Sequence, residues 1–233
     1  MERHLVDSRQ KAQSLILAGQ VSVDGHRSDK PGRLIARESR IELAARLRYV
    51  SRGGIKLEAA LEEFHIDVAG SVCLDVGTST GGFTDCLLQR GALRVHAVDT
   101  GAGQIDWKLR NDPRVILHER TNARYLKFDQ IGELADVIVC DVSFISVTLL
   151  IPALAPLLSR GGNWIILVKP QFEAGRAAVG KGGIVRDPRA QQAACEKVAA
   201  ALVDADFATR LMESPILGAE GNREFLLYAR RLT

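Results

Sequence analysis

From residue 72 onward the chain alternates short, nearly unbroken apolar runs with stretches of helical period, and few folds accept that order. The runs are VCLDV (72–76), LRVHAVD (93–99), VILHE (115–119), DVIVCD (136–141) and WIILVK (164–169). Helical patterns fall at 82–90, 147–158 and 189–204, and two more strands are expected at 207–213 and 224–230. A strand without a polar face must be covered on both sides. The pattern therefore predicts an α/β fold built on a mostly parallel sheet with helices on both faces. The last strand, EFLLYAR, follows a Gly221-Asn222 turn and is expected to pair antiparallel at the end. At 233 residues and 46% hydrophobic content, the chain can fill one such core and support a small extra domain.

That extra domain is expected at the head. SRQKAQSLILAGQ (8–20) has helical spacing, with Ser8 as its N-cap and Gly19 as its stop. VSVDGHRSDKPGR follows with a short apolar alternation and an Asp-Gly turn, and RIELA (40–44) reads as another strand. RYVSRGGIKLEAALEEF then leads into the body, with Arg52-Gly53-Gly54 as a hinge and 55–64 as a helix. The formal net charge of +3 is uneven. Residues 1–52 carry eleven Lys and Arg against six Asp and Glu, which leaves the rest slightly acidic. A basic head on such a body suits a polyanionic partner, against the plainer reading of a solvated face.

The longest apolar stretch, VTLLIPALAPLL, is too short to span a bilayer and contains Pro152 and Pro156. MERHLVDSRQ lacks a signal-peptide core, so a cytoplasmic protein without a membrane partner is expected. Cys73, Cys86, Cys140 and Cys195 lie far apart with no CxxC or Cys/His spacing, which predicts neither a metal nor a disulfide.

CLDVGTSTGGF (73–83) admits two chemistries. Gly77-Thr78-Ser79-Thr80-Gly81 matches G-x-S-x-G, the turn that presents a nucleophilic serine in α/β-hydrolases. That motif requires a histidine late in the chain, and none lies beyond His118. The other reading is a cofactor loop. Gly77, Gly81 and Gly82 let a ligand approach the main chain, and the following helix offers free N–H groups. The second strand ends in Asp99, placed to accept hydrogen bonds from ribose hydroxyls. Asp75 suits a cationic group better than a pyrophosphate, which favours S-adenosylmethionine over a dinucleotide. Asp141 and Lys169 stand at the tips of later strands, bordering the crevice of such a sheet. A lysine ending a buried strand is a usable base if its surroundings lower its pKa.

DVGTSTGGFTD, VDTGAGQIDWKLR, CDVSFIS, LVKPQFE, GKGGIVRDP and GNREFLLY together resemble the TlyA (hemolysin A) family of ribosomal RNA 2′-O-methyltransferases. The resemblance covers nearly the whole chain, including RYVSRGGIKL. It implies a Rossmann-like S-adenosylmethionine-dependent methyltransferase fold, similar to the FtsJ-like enzymes, with a seven-stranded, mostly parallel sheet over residues 55–233. It also implies a small α+β RNA-binding domain of the S-four type over 1–47, shortened at its start, and a linker over 48–54. The family's catalytic Lys-Asp-Lys-Glu set corresponds to Lys56, Asp141, Lys169 and Glu224. Its cofactor positions correspond to Asp75, Gly77, Ser79, Gly81, Gly82, Phe83 and Asp99, with Asn122 as a further position near the adenine or methionyl end. The resemblance points to cytidine in ribosomal RNA or ribosomal subunits as substrate.

In that scheme Lys169 takes the proton of a ribose 2′-hydroxyl while Lys56 and the two carboxylates set its charge and orientation. The sulfonium already carries an activated methyl, so no metal is expected. Arg3, Arg9, Lys11, Arg27, Lys30 and Arg33 are the candidate phosphate contacts in the head. The other readings weighed are a haemolysin or pore, suggested by the family's name, and an RNA-binding accessory protein without transferase activity.

Overall fold

The computed structural model describes residues 5–6, 9, 12–13, 16, 21–28, 30–43, 48–218 and 221–232. The chain divides into two compact units, Met1–Arg48 and Tyr49–Thr233. In the first, β1 (Val21–Val23) pairs antiparallel with β2 (His26–Arg27) and β3 (Ile41–Leu43). The β1–β2 turn is the expected Asp24-Gly25, and both residues have positive φ, as a tight hairpin of right-handed strands requires. Arg9, Lys30 and Arg33 are exposed, and Arg27 lies in β2. Arg3, Lys11 and the Ser8 and Gly19 ends of the expected helix lie outside the described residues.

The second unit opens with α1 (Gly53–Glu63), β4 (Val72–Val76) and α2 (Gly82–Gln89), followed by β5 (Arg94–Val98) and α3 (Trp107–Arg110). Then come β6 (Val115–His118), α4 (Phe128–Ile131), β7 (Ala135–Cys140), α5 (Ile151–Leu154) and β8 (Leu158–Val168). The chain closes with α6 (Pro170–Glu173), α7 (Pro188–Val203), β9 (Phe207–Glu213) and β10 (Phe225–Arg231). The seven strands lie in the order β6-β5-β4-β7-β8-β10-β9. β10 runs antiparallel to both β8 and β9, and the pairings from β6 to β8 are parallel. The order reverses beside β4, so the crevice of this sheet opens at the carboxyl ends of β4, β5 and β7.

Strand alternation divides the core. Leu74, Val76, Ile138, Trp164 and Ile166 cluster with Leu154 of α5 and with Val198 and Leu202 of α7. Cys73, Val95, Val137, Val139, Ile165 and Leu167 cluster with Leu57 and Leu61 of α1 and with Cys86 and Leu87 of α2. Both sets are nearly inaccessible to water, the two-sided covering that the continuous apolar runs require.

Three local features differ from the sequence reading. The single helix expected over 147–158 is broken into turns at Val147–Leu149, Ile151–Leu154 and Ala155–Leu157. Pro152 and Pro156 each sit in the first turn of a new piece, because proline has no N–H to continue the helix before it. β8 starts six residues before WIILVK, with a register irregularity opposite Ala135 and Val137. Gly162 permits this, since a Cβ there would lie 2.9 Å from the Asp136 carbonyl oxygen. In the 48–54 stretch, Tyr49 is buried and the Val50 N–H donates to Asp85 Oδ2 at 2.8 Å. Gly54 is there for packing: an added Cβ would collide with the Tyr49 ring. Among the described residues, no helix is long and apolar enough to cross a membrane.

Candidate active site

The glycine loop after β4 is a tight backbone structure. Gly77 (φ +85°) has the Asp141 carbonyl oxygen where a Cβ would stand, and Gly81 (φ +94°) has Leu109 there. Gly82 lies equally close to Ser51. Ser79 is also left-handed, at φ +51°, and its N–H donates to Asp99 Oδ2 at 2.8 Å. Asp99 Oδ1 accepts the Gly101 N–H at 2.7 Å. The Asp99 carboxylate therefore clasps the loops after β4 and β5 together. Each of its oxygens keeps a lone pair for a ligand.

Two clefts meet at this loop. The larger, about 440 Å³, is lined by Gly77, Ser79, Asp99, Asn122 and Asp141, and also by Gln104, Thr121 and Phe144. The smaller, about 170 Å³, is lined by Ser51, Lys56, Gly82, Phe83, Asp141 and Lys169. Gly77, Ser79, Asp141 and Ser143 border both.

Of the expected catalytic set, Lys56, Asp141 and Lys169 line the smaller cleft from three separate elements, and Glu224, from a fourth, is paired to Lys56. Lys169, the residue after β8, places its Nζ 2.7 Å from Asp141 Oδ1, an ion pair lying outside hydrogen-bond geometry, and donates to Ser143 Oγ at 2.8 Å. Lys56, on α1, donates to Glu224 just before β10. That second pair is almost fully buried. Gly218 makes room for it, because a Cβ there would overlap the Glu224 carboxylate. Lys56 and Lys169 both line the cleft while Glu224 stands behind Lys56, so two lysine amino groups face one space with a carboxylate beside each.

The expected cofactor residues separate on inspection. Gly77, Ser79, Asp99 and Asn122 line the larger cleft, and Gly82 and Phe83 the smaller. Asp75 and Gly81 line neither cleft. Asp75 is wholly buried under the loop, where its Oδ2 accepts from Thr84 Oγ1 at 2.6 Å and its Oδ1 has no hydrogen-bond partner. It is buried beneath the loop and not in the cleft wall, whereas the sequence placed it facing the cofactor's cationic end. Burial pushes its carboxyl up to about 7, against the opposing pull of the Thr84 hydrogen bonds. Asn122 Oδ1 caps the following turn by accepting the Arg124 N–H at 3.0 Å. The sequence reading missed Gln104, Thr121 and Ser143. The first two sit in irregular loops after β5 and β6, and the signal for Ser143 was its place two residues beyond Asp141.

The donor set tests which cofactor fits. Among the described residues lining the larger cleft, none is a lysine or arginine, and the charged members are Asp99 and Asp141. A pyrophosphate would meet carboxylates without a counter-charge. A nucleoside carrying an ammonium and a sulfonium would meet complementary charge, with glycine backbone open to close approach.

Comparison with known proteins agrees with this geometry. Residues 49–231 match the FtsJ-like methyltransferase model. YqxC of Bacillus subtilis is 47% identical over 98% of this chain and 82% of its own length. The 16S/23S rRNA (cytidine-2′-O)-methyltransferase TlyA of Mycobacterium tuberculosis is 44% identical over 100% of this chain and 88% of its own. A solved structure from Streptococcus thermophilus, which bears the name hemolysin, superposes with a TM-score of 0.79 at 45% identity, covering 99% of this chain and 85% of that one.

Proposed function

The chain belongs to the TlyA (hemolysin A) family of FtsJ-like methyltransferases, and we propose that it methylates a ribose 2′-hydroxyl of ribosomal RNA, at cytidine, using S-adenosylmethionine. The observation that carries this reading is a cleft without a basic side chain that opens, across Asp141, onto two carboxylate-paired lysines. When bound, the cofactor supplies a methyl group already activated on a sulfonium.

The chain's own residues do the rest. Asp99, Ser79, Gly77 and Asn122 hold the cofactor in the larger cleft. Lys169 Nζ takes the proton from the 2′-hydroxyl as the oxygen attacks, and Asp141 at 2.7 Å stabilises the ammonium that results. Ser143 fixes the Lys169 side chain from the other side. Lys56, held by Glu224, presents a second ammonium to the attacking oxygen. Alignment of the two substrates accounts for most of the acceleration. The head contributes phosphate contacts through Arg9, Arg27, Lys30 and Arg33, with Arg3 and Lys11 in the same role, and the enzyme acts in the cytoplasm.

The test is transfer of a labelled methyl group from S-adenosylmethionine to 16S and 23S rRNA, free and in subunits, followed by mapping of the modified ribose. Wild-type protein labels a 2′-oxygen. Lys169→Ala abolishes labelling while calorimetry finds cofactor affinity within a fewfold of wild type. A Lys169→Ala protein that still transfers at the wild-type rate refutes the assignment of the base. Wild-type protein that labels no rRNA refutes the substrate.

A further inference from the structure

The chain has only twelve aromatic residues, and four of them, Trp107, Tyr125, Phe128 and Phe144, are exposed. Trp107 is the least expected of these. Its side chain is the largest in the chain's repertoire, and it stands 75% exposed while the only other tryptophan, Trp164, is fully buried. A tryptophan left in water contributes little to the fold and gains 150–250 Å² of buried surface, by the usual size of such rings, only when something covers it.

Everything around the ring is fastened. The Asp106 N–H donates to the Thr80 carbonyl at 3.1 Å, and Thr80 lines the cleft that contains Lys56 and Lys169. Asp106 Oδ1 caps the turn by accepting the Lys108 N–H at 2.9 Å. Lys108 Nζ is 3.1 Å from Asp85 Oδ2, Arg110 pairs with Glu119, and Asn111 Nδ2 donates to the Trp107 carbonyl at 2.7 Å. Leu109 is buried against Gly81 of the cofactor loop. The two cations of this turn are thus tied to acids of the unit itself, and the indole is the group presented outward. A rigid backbone lowers the entropy lost when a ligand settles on that ring.

We propose that Trp107 is a stacking platform for an unpaired base of the RNA substrate, next to the nucleotide that enters the catalytic cleft. This rests on the rRNA methyltransferase reading above. An indole face stacks on any base, so the contact adds affinity and fixes the path of the strand without reading sequence. A protein partner would need a wider apolar surface than one ring between two engaged cations. A base needs only the ring, with its phosphates held elsewhere.

Titration of the full-length protein with transcribed 16S and 23S rRNA tests this through tryptophan fluorescence. Trp164 is shielded, so a stacked base quenches the emission of Trp107 and the signal disappears in Trp107→Phe. Trp107→Ala is expected to weaken rRNA binding and raise the rRNA KM about tenfold, with Trp107→Phe recovering most of that loss and S-adenosylmethionine affinity unchanged in both. The inference is overturned if rRNA leaves the fluorescence unchanged, if Trp107→Ala binds and turns over as wild type does, or if the defect appears equally in cofactor binding. Failure of the parent reading looks different: wild-type protein transfers no methyl to rRNA, whatever Trp107 does. Quenching by rRNA without transfer would sustain the platform and refute the enzyme's substrate.

Discussion

Lys56 and Glu224 are buried together, and this determines what happens when either is changed. Removing one partner leaves a charge stranded away from water, a loss of about 3–5 kcal/mol in comparable buried pairs. Glu224→Leu should therefore destabilise the protein strongly, whereas the double variant Lys56→Met/Glu224→Leu should recover much of that loss. Urea unfolding of the two singles and the double would show it, and strictly additive effects would contradict the pairing. Asp75 gives a prediction of a different sign. Its folded-state carboxyl is raised by burial to about 7, so the folded protein holds a proton that the unfolded chain has already released. The Asp75 contribution to stability is then largest below the ordinary carboxylate range and declines as pH rises to about 7. The difference in unfolding free energy between wild type and Asp75→Asn should change across that window and level off above it. A constant difference from pH 4 to pH 8 would place the titration elsewhere. The inward turn of Asp75 was available in the sequence. Along VCLDV it shares the face of Cys73, and that face packs on α1 and α2. Reading it only as the tip of a strand hid the period of two.

At the scale of elements, the placing of Asp141 and Lys169 depends on how two loops are tied. Glu173, in α6, is buried and accepts from Ser146 Oγ at 2.6 Å and from the Val147 N–H at 2.7 Å. Lys197 of α7 completes the cluster at 3.1 Å. One carboxylate thereby locks the segment after Asp141 to the helix after Lys169. Glu173→Gln places an amide N–H where two donors already point, so that segment should shift. A displacement of even an ångström in aligned groups lowers rates by about a hundredfold. Turnover should therefore fall by about ten- to a hundredfold with little change in cofactor affinity, and Lys197→Met should be milder because both hydrogen bonds to the 146–147 loop remain. A Glu173→Gln protein with normal turnover would show that the clamp does not set the alignment. Strand positions were legible because each apolar run is local: VCLDV is β4 residue for residue. Glu173 was not, because its burial comes from partners 24 to 27 residues away. The 147–158 helix failed for the opposite reason, since its apolar period masked what Pro152 and Pro156 forbid.

Across the whole molecule, charge and chemistry belong to different units. Residues 1–52 hold the excess of positive charge, while the described residues lining the larger cleft of the second unit include two carboxylates and no cation. An enzyme built this way would draw its RNA affinity partly from groups outside the unit that carries the clefts, and such affinity is recognisable by its salt dependence. Each phosphate neutralised by a lysine or arginine releases counterions, so log K falls with log salt by about 0.7 per contact on single strands and about 0.9 on a duplex. Lys30 and Arg33 are both exposed in the first unit, beside the small sheet whose Val21 and Val23 are buried. The double variant Lys30→Glu/Arg33→Glu should bind rRNA more weakly and show a salt slope shallower by about one to two, with S-adenosylmethionine affinity unchanged. At low salt and saturating RNA its turnover should approach wild type, because the lysines proposed to act in catalysis are untouched. If the slope is unchanged, the head's charge is a solvated face and the phosphate contacts lie in the second unit. If turnover at saturation also falls, the head orients the RNA as well as holding it.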